Sequence, residues 1–213
     1  MMRELITKFP EQLAHAIEIG KSTTLQNPSS EIQNVLICGL GGSGIGGKIM
    51  CQLIEEQCAV PVLTNNNYTI PAFVNAQTLV VISSYSGNTE ETLQAMDLAL
   101  DQGAEVAVIT SGGQVLERAE THDLNKIVVP GGHPPRSQFG YSIISQLFLF
   151  NHYNLLSTEL FNAVNDMVNF LKANQANLEE HARSIAKSIN NTLPIIYSDT
   201  SWEGVAVRWR QQL

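Results

Sequence analysis

Two patterns of apolar residues divide this chain. Short runs rich in valine, isoleucine and leucine stand at 34–38, 59–63, 78–83, 105–109 and 126–129. Runs of that length fit strands buried on both faces. Between them, at 43–56, 88–102, 113–120 and 137–153, apolar residues recur every three or four positions and predict helices. This alternation predicts an α/β fold: a five-stranded parallel sheet with right-handed crossovers, sandwiched by helices. Ahead of it, Leu5, Ile6, Phe9, Leu13 and Ile17 predict a leading helix over 3–20 despite Pro10, and Asn27-Pro-Ser-Ser30 predicts a turn. Beyond it, Leu160, Val164, Met167, Val168 and Leu171 keep one face of a long helix over about 158–190. Leu193-Pro-Ile-Ile-Tyr197 reads as a further strand and Trp202 to Leu213 as the opening of a further helix. The expected organisation is a leading helical segment (1–30), an α/β domain (31–155), a linking helix (156–191) and the start of a second, incomplete α/β domain (192–213). The alternative is that the last piece packs on the first domain as an extra layer.

Two strand-to-helix junctions carry the chemistry. The first runs Val35-Leu-Ile-Cys-Gly-Leu-Gly-Gly-Ser-Gly44, the second Leu79-Val-Val-Ile-Ser-Ser-Tyr-Ser-Gly-Asn-Thr-Glu-Glu-Thr92. A helix N-terminus offers unpaired N–H groups and a partial positive charge, so a glycine- and hydroxyl-rich loop entering one makes an anion site. Gly41 and Gly42 let the backbone approach a ligand closely, and Ser43 adds a hydroxyl. Such loops at the carboxyl ends of neighbouring strands can hold one phosphate between them. Gly39-Leu-Gly41-Gly-Ser-Gly44 also satisfies the dinucleotide pattern G-x-G-x-x-G. That reading needs an acid at the end of the second strand, where Thr64-Asn-Asn-Asn67 stands instead. The bland reading of the second loop is helix capping by Asn88 with Glu91. One cap needs one such residue, and Ser83, Ser84, Ser86 and Thr89 exceed the need.

Composition narrows the field. A net charge of −8 with no Lys/Arg cluster beyond Arg208-Trp-Arg210 argues against nucleic acid as a partner. It also means that a phosphate must be held by local dipoles rather than global attraction. No apolar run approaches a membrane span, and the first residues lack the apolar core of a signal peptide, so the expected compartment is the cytoplasm. Cys38, Cys51 and Cys58 lack a metal-binding spacing, and no metal or cofactor is expected.

The pair Gly-Gly-Ser-Gly and Ser-Tyr-Ser-Gly-Asn-Thr-x-Glu-Thr resembles the sugar isomerase (SIS) domain family. With Thr110-Ser-Gly-Gly113, Val128-Val-Pro130 and Pro134-Pro-Arg-Ser, the wider pattern is similar to the bifunctional phosphoglucose/phosphomannose isomerases. The resemblance implies that Ser43, Ser84, Ser86 and Thr89 hold a sugar phosphate, with Gly41, Gly42 and Gly87 supplying loop backbone. It implies that Arg136 stabilises the enediolate between C1 and C2, and that the whole enzyme is a homodimer with two such domains. The chemistry would be metal-free aldose–ketose isomerisation, a base moving a proton between C2 and C1. Arg136 follows Pro134-Pro135, which should hold its backbone outside a helix, and a fixed guanidinium suits a developing oxyanion. In the family the base is a Glu within an Asn-Glu-Asn segment, with a His and a Lys assisting ring opening. Val205 to Leu213 matches the approach to that Glu, and Glu203 lies too early to replace it, so this chain is expected to bind phosphosugar and turn it over poorly. His15, His122, His152 and His181 read as structural or surface residues, and His133 as a loop residue beside Arg136. A different class remains open here, a non-catalytic phosphosugar-binding module.

Overall fold

The computed structural model describes residues 2–213. Its centre is an all-parallel sheet of β1 (Asn34–Cys38), β2 (Val62–Asn65), β3 (Thr78–Ser84), β4 (Glu105–Thr110) and β5 (Asn125–Val128) in the order β2-β1-β3-β4-β5. The sheet alternates its apolar load between two cores. Val35, Ile37, Leu79, Val81, Ala107, Ile109 and Ile127 face one side, and Leu36, Cys38, Val80, Ile82, Val106 and Val108 the other. Every residue of β3 is buried, as a central strand covered on both faces must be.

Eight helices surround this sheet: α1 (Met2–Thr7), α2 (Phe9–Ser22), α3 (Gly41–Ile54), α4 (Glu90–Asp101), α5 (Gly113–Thr121), α6 (Phe139–His152), α7 (Glu159–Ser188) and α8 (Glu203–Arg210). The first core is completed from α2, α3, α6 and α7, and the second from α4 and α5. In α3, Gly46 and Gly47 allow close approach. A Cβ at Gly46 would meet Ser142 Oγ at 2.4 Å, and one at Gly47 would meet Ile37 Cγ2 at 2.8 Å.

Four details depart from the sequence reading. The leading helix is two helices that break at Lys8, because Pro10 lacks an N–H and is tolerated only in the first turn of the second. The second strand begins after Pro61, three residues later than expected, since proline cannot donate to a ladder. Leu193–Tyr197 is not a strand: it pairs with no neighbour, and Leu193, Ile195 and Tyr197 are 80% exposed or more. The helix expected from residue 137 begins at Phe139, behind a 3-10 turn, Pro135–Ser137, that keeps Arg136 outside it. Among the described residues no helix is long and apolar enough to cross a membrane.

Candidate phosphate site

The sheet order fixes where a ligand can sit. From β1 the chain crosses to β2 on one side, then returns to β3 on the other, so successive crossovers diverge between β1 and β3. That divergence opens a crevice at the carboxyl ends of the two strands. The loop leaving β1, Gly39–Leu40, and the loop leaving β3, Tyr85–Thr89, both face it, and each feeds a helix N-terminus. Neither helix is capped by a side chain. In α3 the N–H groups of Ser43 and Gly44 turn back to the carbonyl of Leu40, and those of Gly41 and Gly42 have no backbone partner among the described residues. Such N–H groups are the anion-binding end of a helix.

The hydroxyls converge on the same ground. Ser43 Oγ accepts the backbone N–H of Tyr85 at 3.3 Å, tying the first loop to the second. Ser84 is buried, and its hydroxyl donates to Thr89 Oγ1 at 3.3 Å, bracketing the second loop. Ser86 is exposed, and its Oγ accepts from the N–H of Asn88 at 3.4 Å. All three bonds are long, so a stronger acceptor such as phosphate oxygen could recruit the hydroxyl protons.

The second loop is clamped from behind by residues to which the sequence reading gave no such role. The carbonyl of Tyr85 accepts both the N–H and the Oγ–H of Ser111, at 3.1 and 2.6 Å, and its phenol donates to the Pro130 carbonyl at 3.0 Å. Gly87 has φ +69°, and its carbonyl accepts from Val115 N–H at 2.9 Å. A Cβ there would lie 1.7 Å from the Gly112 carbonyl oxygen. Asn88 does not cap α4. Its side chain bridges loops, accepting from Gln114 N–H and donating to the Ser86 carbonyl, while Thr89 holds the N-cap position. Apart from the Asn88–Ser86 bond, these hydrogen bonds join residues 26 or more positions apart, and no local pattern announces them.

Arg136 joins the site through its backbone. A Cβ at Gly42 would meet the Pro135 carbonyl oxygen at 3.3 Å and Arg136 N at 3.7 Å, so the 3-10 turn rests on the α3 entrance. The Arg136 side chain is exposed and lines a separate cavity of about 720 Å³ between α1, α7 and α8, with Arg208 in its wall. It makes no hydrogen bond to Ser43, Ser84, Ser86 or Thr89 among the described residues. Beneath the crevice a cavity of about 10 Å³ is lined by Ser43, Tyr85, Gln138 and Tyr141. Gln138 is buried, and its Oε1 has no partner. Glu203 pairs with Lys48 at 2.9 Å.

Burial pushes the Cys38 thiol up to about 12 and that of Cys51 to about 11, which makes both poor nucleophiles. Of the histidines, His15 Nδ1 meets Tyr141 Oη at 2.9 Å and His152 Nε2 meets the Gln26 carbonyl at 2.6 Å. His133, though, donates its backbone N–H to Tyr85 Oη at 3.2 Å.

Residues 30–154 match the SIS domain model, and residues 178–213 match a bacterial phospho-glucose isomerase C-terminal SIS domain. A bifunctional phosphoglucose/phosphomannose isomerase of Caldicellulosiruptor bescii is 37% identical over this whole chain, which spans 65% of that protein. Another, from Thermoplasma acidophilum, is 36% identical over 84% of the chain and 54% of its own length. The chain therefore spans between half and two thirds of these curated relatives. Among solved structures, the C-terminal domain of glucosamine-fructose-6-phosphate aminotransferase from Francisella tularensis superposes with TM-score 0.75 at 16% identity, covering 99% of this chain and 65% of that one.

Proposed function

We propose that this chain, which belongs to the SIS domain family, serves an aldose–ketose isomerase that interconverts glucose 6-phosphate and mannose 6-phosphate with fructose 6-phosphate. The observation that carries the reading is the pair of hydroxyl-lined, uncapped helix entrances meeting at the β1/β3 crevice. Two helix ends and neutral hydroxyls hold a dianion without fixed cations, which suits a chain of net charge −8. The names of two curated relatives, both bifunctional phosphoglucose/phosphomannose isomerases, support phosphorylated glucose and mannose as the sugars.

In this reading Ser43, Ser84, Ser86 and Thr89 anchor the phosphate with the free N–H groups of Gly41 and Gly42. The far end of the sugar then reaches toward the Pro135–Ser137 turn, where Arg136 stabilises the enediolate oxygen as a proton passes between C2 and C1. Glucose and mannose 6-phosphates share that enediolate, so one arginine serves both. Glu203 is engaged by Lys48 and is not the base. That engagement also keeps the second reading alive, a module that binds phosphosugar without turning it over. A homodimer in the cytoplasm completes the proposal.

The test is calorimetric titration with fructose 6-phosphate and inorganic phosphate, followed by a coupled assay on glucose and mannose 6-phosphates. Binding that is lost in Ser84→Ala and Thr89→Ala supports the site, and no heat from either ligand overturns it. Turnover of both sugars supports the isomerase; binding without turnover supports the module.

A further inference from the structure

The 3-10 turn that bears Arg136 is held at every carbonyl. Pro135 O accepts from Gln138 N–H at 3.0 Å, Pro134 O from Ser137 Oγ at 2.7 Å and Ser137 O from Gln12 Nε2 at 2.8 Å. The remaining one, Arg136 O, accepts from Arg208 Nη2 at 2.5 Å. Arg208 is the one charged donor of the four. Its guanidinium also lies over the Phe139 ring, 5.2 Å from the centroid, so it is fixed on two sides. Neither Arg136 nor Arg208 has a carboxylate partner among the described residues.

Arg208 stands on a helix that is itself locked to the phosphate loop's helix. Gln52 of α3 accepts from Gly204 N–H at 2.7 Å and donates to the Thr200 carbonyl at 2.6 Å. Lys48 of α3 pairs with Glu203. Gly204 brings the two helices close: a Cβ there would meet Gln52 Oε1 at 2.6 Å and Ile49 Cγ1 at 2.9 Å. Arg208 is one helical turn beyond Gly204 and reaches back to the 3-10 turn that rests on Gly42. The α3 entrance, α8 and the Arg136 turn thus form a closed triangle. Burial, and then the charge of Arg136, hold Arg208 below its usual value, and the two side chains line one cavity.

We infer that Arg208 is a positioning residue for Arg136: by donating to the Arg136 carbonyl from a helix fixed on α3, it holds the backbone from which the guanidinium of Arg136 reaches the enediolate end of the site. This rests on the isomerase reading of that site. The carbonyl bond fixes the backbone from which the Arg136 side chain extends. Lysine at 208 would keep the charge and lose the flat stack on Phe139 and the fork that reaches the carbonyl.

The experiment measures three affinities on the 213-residue chain by calorimetry: inorganic phosphate, fructose 6-phosphate, and a phosphorylated five-carbon hydroxamate whose planar anion copies the enediolate. Arg208→Lys and Arg208→Met are each expected to weaken the hydroxamate by about ten- to a hundredfold and to leave phosphate within about twofold, as a displaced catalytic group would. Combined with Arg136→Ala, each should lose no more than Arg136→Ala alone, because the two act through one group. Wild-type hydroxamate affinity in Arg208→Lys, additive losses in the double variants, or a parallel fall in phosphate affinity would each overturn the inference. A wild-type chain that binds fructose 6-phosphate but holds the hydroxamate no tighter removes the role of Arg136 and this inference while sparing the phosphate site. A chain that binds no phosphosugar removes the functional reading itself.

Discussion

Replacing Gly87 by alanine separates two costs, because the fold supplies a matched control. Gly87 and Gly103 share nearly the same backbone, φ +69° and φ +68°. An added Cβ at Gly103 meets nothing within 4 Å, whereas at Gly87 it falls 1.7 Å from the Gly112 carbonyl oxygen. Left-handed backbone costs an L-residue roughly 1–2 kcal/mol, and Gly103→Ala should show that cost alone. In Gly87→Ala the two loops must also separate by about 1.5 Å to reach ordinary carbon–oxygen contact. That movement breaks the Val115 N–H bond to Gly87 O and strains the Ser111 clamp on Tyr85 O. At about 0.5–1.5 kcal/mol for each of the three bonds, added to the backbone cost, the total loss comes to about 2.5–6.5 kcal/mol. Urea unfolding of the two variants beside wild type measures the difference. Titration with inorganic phosphate then reports whether Ser84, Ser86 and Thr89 have lost their alignment. Equal destabilisation of the two variants, or wild-type phosphate affinity in Gly87→Ala, would refute the claim that contact with Gly112 shapes the phosphate loop.

Three further outcomes follow from the same geometry. Ser84→Ala and Thr89→Ala each remove a hydroxyl from a charged acceptor and should cost about 1.5–3 kcal/mol in phosphosugar affinity by calorimetry. The Cys38 thiol, ordinarily near 9.0, is raised by burial to about 12, so it favours the fold fully below pH 9 and loses that contribution as pH climbs toward 12. By pH 10.5 the loss is about 2 kcal/mol, and denaturant melts of Cys38→Ala across pH 8–10.5 should fall less steeply than wild type by that amount. Glu203→Gln breaks an ion pair whose side chains are 37% and 57% exposed, so it should cost under about 1 kcal/mol in stability and leave phosphate affinity unchanged.

The sheet was legible wherever burial alone decides. Residues 35–38, 79–82 and 106–109 are apolar without interruption because both faces are covered, and the folded strands extend those runs by at most two residues at either end. Legibility failed where a single residue overrides the period. Pro61 delays the second strand, and Pro10 opens a helix instead of sitting inside one. The run Leu193–Tyr197 has strand composition, yet a strand exists only beside a neighbour, and no edge of the sheet lies against it. In the site, the loops and their hydroxyls are local features of the sequence. Tyr85, Ser111, Gln114 and Arg208 act through contacts between distant segments, so spacing along the chain says nothing of them.

The helix that opens the phosphate site has a composition no isolated helix would choose. Five of the fourteen residues of α3 are glycine. At about 1 kcal/mol each relative to alanine, its intrinsic preference is unfavourable by roughly 5 kcal/mol. The closeness those glycines permit, against Ile37 and Ser142, offsets that preference. Its first turn, Gly41 to Gly44, carries the N–H groups offered to the ligand. An anion seated there supplies partners for those amides, so the order of that turn and the occupancy of the site become one equilibrium. Amide hydrogen exchange would read it directly, as protection that rises at Gly41–Gly44 when phosphate binds and leaves β3 unchanged.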